Sequence, residues 1–193
     1  MDIYLIRHTR ITGVEGICYG QSEVPLAPEF PIESLEVKEK LLDLKSPVFF
    51  SSPSKRCRAL AEVLSSGEVN IVSDLMEFNF GAWELKPWTA IPQIDIENWA
   101  NDLLNSPCPE GESLQVMQDR VLAFWKKIIQ SENSTIILIT HAGPIRIILS
   151  HLLKMPPQNM FSLKIGFGSI RKINYHDGNV ELETIYDGSV ILK

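Results

Sequence analysis

Two stretches decide how this 193-residue chain folds: Ile3-Tyr4-Leu5-Ile6-Arg7-His8-Thr9 near its start and Thr135-Ile136-Ile137-Leu138-Ile139-Thr140-His141-Ala142-Gly143-Pro144 in its second half. Both are continuous apolar runs rich in Ile and Leu. That pattern belongs to strands buried on both faces of a parallel sheet, since a half-exposed strand would alternate apolar with polar residues. Each run stops on a histidine. In open parallel sheets, ligands bind in the crevice beyond the carboxyl ends of the strands. Two strands that deliver histidines to that edge, one with an adjoining arginine, predict a site for a small anion.

Outward from β1 (about residues 2–8), a glycine-containing loop covers 12–31. It is long for a compact domain, which marks it as a candidate functional loop. Helical spacing runs from Glu33 to Leu44 through Leu35, Val37, Leu41 and Leu42, and Pro47 breaks the chain after it. Val48 to Ser51 reads as a short strand. Ser52-Pro53 reads as a helix start, Ser as N-cap and Pro in the first turn, with the helix running to about Ser66. Asn70 to Ser73 is a third strand. The stretch 77–109 holds Trp83, Trp88, Trp99 and four prolines, and predicts one or two short helices. Ser113 to Gln130 is a helix with Leu114, Met117, Val121, Phe124 and Ile128 on one face. After strand 135–140, Gly143-Pro144 starts a helix to about Leu153, and 160–192 reads as strands with a turn at Asp177-Gly178. The alternation predicts an α/β fold with a largely parallel sheet, as one domain over 1–193.

Composition narrows the function classes. The chain is 45% hydrophobic and 22% charged, which is ordinary for a globular protein. Its formal net charge is −6. It has no basic stripe with interleaved aromatics, so nucleic acid is not an expected partner. No apolar run reaches the ~18 residues of a membrane span. The chain opens directly on a strand, without a charged n-region or cleavage site. Cys18, Cys57 and Cys108 are odd in number, far apart and without metal spacing, which points to a reducing, cytoplasmic setting.

Four segments carry candidate chemistry. Arg7-His8 closes the first strand, with His8 as nucleophile or base and Arg7 as an anion clamp; an ordinary strand-end pair would look the same in isolation. Ser51-Ser52-Pro53-Ser54-Lys55-Arg56-Cys57-Arg58 places three cations in the first turns of a helix, where the macrodipole favours acids. A bound phosphate would reverse that sign, because free N–H groups and a guanidinium would both face an anion. Lys55 and Arg58 can equally point into water; Arg56 is the candidate. His141-Ala142-Gly143 turns from strand to helix with small residues that let a ligand approach the backbone. Glu77, in Glu77-Phe78-Asn79-Phe80-Gly81-Ala82-Trp83-Glu84, sits among aromatics just after the third strand. A carboxyl near apolar surface has a raised pKa, which suits a general acid.

Together these segments resemble the histidine phosphatase superfamily, the phosphoglycerate mutase-like phosphatases. Arg7-His8-Thr9 matches the family's Arg-His signature, Ser51 to Arg56 its Ser-Ser-Pro-x-x-Arg, and Glu77 to Glu84 its Glu-x-x-x-Gly-x-Trp-Glu. Pro109 to Ser113 matches Pro-x-Gly-Glu-Ser, and His141 with Gly143 the second histidine. The likeness covers residues 1 to about 150. The short stretch Gly16-Ile17-Cys18-Tyr19-Gly20-Gln21-Ser22-Glu23-Val24-Pro25-Leu26 is most similar to alpha-ribazole phosphatase-like members.

The resemblance implies a three-layer α/β/α sandwich with a mostly parallel central sheet, and a phosphomonoesterase working through a phosphohistidine. His8 is then the phosphorylated nucleophile and Glu77 the proton donor to the leaving alcohol. Arg7, Arg56 and His141 hold the phosphoryl oxygens, with Gln21 and Ser22 in the substrate-binding loop. Where relatives carry Gly-Glu and a nearby Asn after the Arg-His pair, this chain has Thr9-Arg10-Ile11-Thr12, and Thr12 or backbone groups are the candidate replacement. Glu84 matches a family position without an assigned role. His8 and His141 are not flanked by ligand-spaced carboxylates, so no metal or other cofactor is expected. His151 and His176 read as structural or surface residues. The expected partner is a small phosphomonoester. The alternatives are a broad-specificity phosphatase, a phosphoglycerate mutase-type enzyme (whose longer insertions have little room between Glu77 and His141) and a non-catalytic phosphate-binding protein.

Overall fold

The computed structural model describes residues 1–176 and 178–188. Six strands form one sheet: β1 (Asp2–Arg7), β2 (Val48–Ser51), β3 (Val69–Ile71), β4 (Thr135–Thr140), β5 (Ile170–His176) and β6 (Asn179–Tyr186). Their spatial order is β3-β2-β4-β1-β5-β6. The pairs β3–β2, β2–β4 and β4–β1 are parallel; β5 runs antiparallel to both its neighbours. Among the described residues the α-helices are α1 (Phe30–Glu39), α2 (Lys55–Leu64), α3 (Gln93–Asn101), α4 (Leu114–Ile129) and α5 (Ala142–Leu152).

The two apolar runs occupy the centre of the sheet because both their faces are covered. Side chains alternate across a strand. Ile3 and Leu5 of β1, with Ile136 and Leu138 of β4, pack into one cluster with Met117, Val121 and Phe124 of α4 and Ile145 and Ile148 of α5. Tyr4, Ile6, Ile137 and Ile139 pack into the other, with Val37 of α1 and Leu60 and Ala61 of α2. The result is the three-layer α/β/α sandwich. Each fully buried Leu or Ile contributes about 1.5–3 kcal/mol of transfer free energy, so register errors in either strand are strongly disfavoured.

The chain departs from the sequence reading in four places. The first helix starts earlier, at Phe30, with Pro31 in its first turn, and ends at Glu39. Its inward face is set by Glu33, Ser34 and Val37, while Leu35 and Leu42 are 56% and 69% exposed. Glu33 is turned inward by Arg10, whose backbone N–H and side chain both bond its carboxylate. The second helix has Ser54, not Ser52, as its N-cap residue, without a side-chain capping bond, and the Ser52 hydroxyl meets His141 instead. The third strand ends at Ile71, and Ser73 begins a 3-10 turn that places Leu75 in the core. Before the last two strands, residues 157–162 form a 3-10 turn rather than strand. Gly178 lies in the turn between β5 and β6 with φ +82°; Asp177 of that predicted turn, and residues 189–193, lie outside the described residues.

Candidate active site

The parallel register between β1 and β4 pairs Arg7 with Thr140, so His8 and His141 leave the sheet side by side. The His8 backbone N–H donates to Thr140 O at 3.0 Å. The two imidazoles meet edge to face, centroids 5.2 Å apart. His8 Nδ1 lies 2.8 Å from Thr9 O. A carbonyl only accepts, so Nδ1 carries the proton and Nε2 of the neutral ring is bare. His141 is fixed in the same manner. Arg56 Nε donates to its Nδ1 at 3.3 Å, and its Nε2 lies 2.9 Å from Ser52 Oγ. Because the arginine can only donate, Nε2 of the neutral His141 ring donates to the serine.

Arg56 opens α2 and is fully buried, while Lys55 and Arg58 point into solvent. The helix's first N–H is answered by the Glu23 carboxylate at 3.0 Å, so a side chain supplies the anion expected there. The Arg56 fork also donates to Ser22 O at 2.9 Å and Gly20 O at 2.5 Å. Those carbonyls are presented because Glu84 accepts the backbone N–H groups of Gly20, Gln21 and Ser22 on the opposite edge of the loop. Burial pushes the Glu84 carboxyl up, but these bonds outweigh it and hold it below its ordinary value. Glu84 therefore shapes the loop that holds Arg56. Arg7 donates to Ile165 O at 2.6 Å and packs 3.7 Å above the Phe167 ring. Its Nε is buried with no protein partner.

Glu77 follows the 3-10 turn after β3. Its carboxylate accepts the N–H of Phe78 at 2.9 Å and of Gly143 at 3.1 Å, which brings it against the start of α5. Its carbonyl takes Gln21 Nε2 and Arg120 Nη2, both at 3.0 Å. Arg120 is in turn paired with Glu112 of the Pro-x-Gly-Glu-Ser stretch at 2.7 Å. A Cβ added at Gly143 would lie 2.1 Å from Glu77 Oε1 and 2.6 Å from Met117 Cε. Gly143→Ala is therefore expected to displace the carboxylate. It should slow cleavage of an alkyl phosphate by about 10²-fold and destabilise the fold by about 1–3 kcal/mol of overpacking. Steady-state kinetics and a melting curve check this; full activity in the variant would show that the close approach is unimportant.

Arg7, His8, Arg56, Glu77 and His141 all line one cavity of about 300 Å³. Thr12, Gln21 and Ser22 do not. Thr12 is exposed, with its N–H turned to Pro25 O. Gln21 spends its side-chain amide on Glu77 O, and Ser22 its backbone on Glu84 and Arg56. They frame the site rather than face it. The remaining walls include Tyr19, Phe78, Phe80, Trp88, Trp99 and Phe161. Sequence reading left Arg146, another lining residue, unremarked. The available signal was its spacing, three residues past Gly143 and so on the same helix face. Ser52 was read as a cap when its hydroxyl serves His141. His151 and His176 are exposed and do not line the cavity.

Burial, and after it the charges of Arg7 and Arg56, hold His8 well below the ordinary histidine range. Burial, His8 and the same arginines do so for His141. In the unfolded chain each would protonate near pH 6.5. Below that pH the unfolded state binds more protons than the native state, so stability is full above about pH 6.5 and falls as pH drops toward the native values. Melting curves should show a wild-type Tm that declines more steeply from pH 7 to 5 than that of His8→Asn. Each kcal/mol corresponds to about 2–4 °C in a chain of this size. Parallel slopes would mean that His8 is not held neutral by the fold.

The family model described as histidine phosphatase superfamily (branch 1) matches residues 3–188. The chain belongs to that superfamily, and is thus an enzyme of the phosphatase and mutase class. It is 24% identical to the adenosylcobalamin/alpha-ribazole phosphatase of Escherichia coli (strain K12), over 87% of each chain. It is 26% identical to the probable phosphoglycerate mutase GpmB of Escherichia coli O1:K1 / APEC, over 92% of this chain and 86% of that one. The crystal structure of the alpha-ribazole phosphatase from Shigella flexneri superposes with a TM-score of 0.88, at 24% identity, over 97% of this chain and 96% of the other. Among the described residues, no helix is long and apolar enough to cross a membrane.

Proposed function

We propose that this enzyme hydrolyses phosphomonoesters through a phosphohistidine at His8, with alpha-ribazole 5′-phosphate as substrate. The observation that carries the first part is the pairing of a buried neutral imidazole, its Nε2 bare, with two arginines and a carboxylate around one cavity. The lone pair of His8 Nε2 attacks phosphorus. The bond from phosphorus to the leaving oxygen breaks, and Glu77 delivers its proton to that oxygen. Water then attacks the phosphoryl group, Glu77 takes a proton from it, and the N–P bond electrons return to Nε2. Arg7, whose Nε lacks a protein acceptor, and the remaining N–H groups of Arg56 neutralise the phosphoryl oxygens. His141 acts through Arg56: its Nδ1 accepts from that guanidinium and holds it in place.

The substrate choice draws on the alpha-ribazole phosphatases among the relatives and on the aromatic walls, which suit a flat ring better than a three-carbon acid. A phosphate-release screen over alpha-ribazole 5′-phosphate, nucleotides, sugar phosphates and 3-phosphoglycerate tests both parts. Alpha-ribazole 5′-phosphate should lead in kcat/KM by tenfold or more. Isomerisation of phosphoglycerate without release would make the enzyme a mutase, and binding without release would make it a phosphate-binding protein.

A further inference from the structure

The cavity has a floor and a rim, and they differ in chemistry. His8, Arg56 and His141 form the floor, at 2%, 0% and 0% exposure. Arg146, on the second turn of α5, is only partly buried, and its guanidinium lies 5.8 Å from the ring of Phe161, itself 52% exposed. Arg146 Nε donates to Leu163 O at 3.0 Å, which fixes the plane of the fork. Its two terminal NH₂ groups have no protein acceptor, and no carboxylate pairs with it among the described residues. A phosphoryl group must descend to the floor to reach His8. Whatever lies beside Arg146 is then the alcohol being released. Gly143, one turn earlier on the same face of α5, holds the Glu77 carboxylate through its N–H.

Charge counting says what kind of alcohol fits. Arg7, Arg56 and Arg146 supply three positive charges to the cavity and Glu77, when ionised, one negative. With Glu77 protonated, as delivery of its proton requires, a phosphomonoester dianion leaves one positive charge in the cavity. Oxygen acceptors on the alcohol would satisfy the free NH₂ groups, which otherwise stay unpaired in a partly dehydrated site.

We infer that Arg146 is a specificity-determining residue, which binds oxygen acceptors such as sugar hydroxyls on the leaving alcohol while the ring of that alcohol lies against the aromatic wall. This rests on the phosphatase reading above and assigns to Arg146 the recognition of the sugar-bearing alcohol that reading releases.

The test compares wild type with Arg146→Met, which keeps the chain length packed on Phe161, and Arg146→Lys, which keeps the charge but loses the fork. Each is assayed on alpha-ribazole 5′-phosphate, 5′-AMP and phenyl phosphate, which has a ring but no distal hydroxyls, with Tm measured alongside. For Arg146→Met, kcat/KM on the two riboside phosphates should fall about 10- to 100-fold, carried by KM, and by at least tenfold more than on phenyl phosphate. Arg146→Lys should recover part of that loss. An equal loss on all three substrates, or a loss in kcat with KM unchanged, would overturn the inference, as would a fully active Arg146→Met. Should wild type cleave phenyl phosphate but neither riboside phosphate, the substrate reading and this inference both fall. Should wild type cleave the ribosides and Arg146→Met match it, the inference alone falls.

Discussion

Replacing His8 by alanine is expected to lower kcat by roughly 10⁴- to 10⁶-fold, the scale seen when a covalent nucleophile is removed. The ring lies at the cavity floor, 2% exposed, and Nδ1–H to Thr9 O leaves a single unprotonated nitrogen available to attack. No other unprotonated nucleophile of comparable strength stands there. Burial pushes the Cys57 thiol up to about 12, and the remaining nitrogen pair, on His141, is engaged by Arg56 and Ser52. Acid-labile, base-stable phosphate bound to wild type in rapid-quench experiments should disappear in the variant. Turnover within tenfold of wild type would remove His8 as the nucleophile.

Glu77→Gln should lose about 10²- to 10⁴-fold on an alkyl phosphate and clearly less on p-nitrophenyl phosphate, whose alcohol leaves without help. The contrast is the diagnostic, because the substitution also perturbs the fold. Two backbone N–H groups, from Phe78 and Gly143, use the two carboxylate oxygens. An amide offers one oxygen, so one N–H would face an NH₂ group, at about 1–3 kcal/mol. A melting curve accounts for that part. If both substrates slow by the same factor, Glu77 holds the structure and does not donate the proton.

The two central strands were legible because a strand buried on both faces must be apolar at every position, and such a run declares itself locally. Their histidines were legible as site residues for the same reason: the strand end is where a buried sheet meets solvent. The first helix was less legible. Its leucines suggested an inward face, but the ion pair of Glu33 with Arg10, 23 residues away, rotates Glu33 inward and leaves Leu35 exposed. The substrate-side expectation for Thr12, Gln21 and Ser22 rests on the length of their loop and a family likeness, neither of which says where a side chain turns.

By itself the sequence determined an α/β fold with a largely parallel sheet and a histidine at the end of each of two buried strands, which follow from periodicity; the three layers and the roles of Arg56 and Glu77 beside those histidines came with the family resemblance. Only the tertiary structure decided which groups face the cavity and which brace it: Glu84 shaping the loop that grips Arg56, Arg120 anchoring the Glu77 backbone, Arg146 standing at the rim. These roles depend on hydrogen bonds between residues dozens of positions apart, and no local pattern records which distant partner a side chain will meet once the chain has closed around its core.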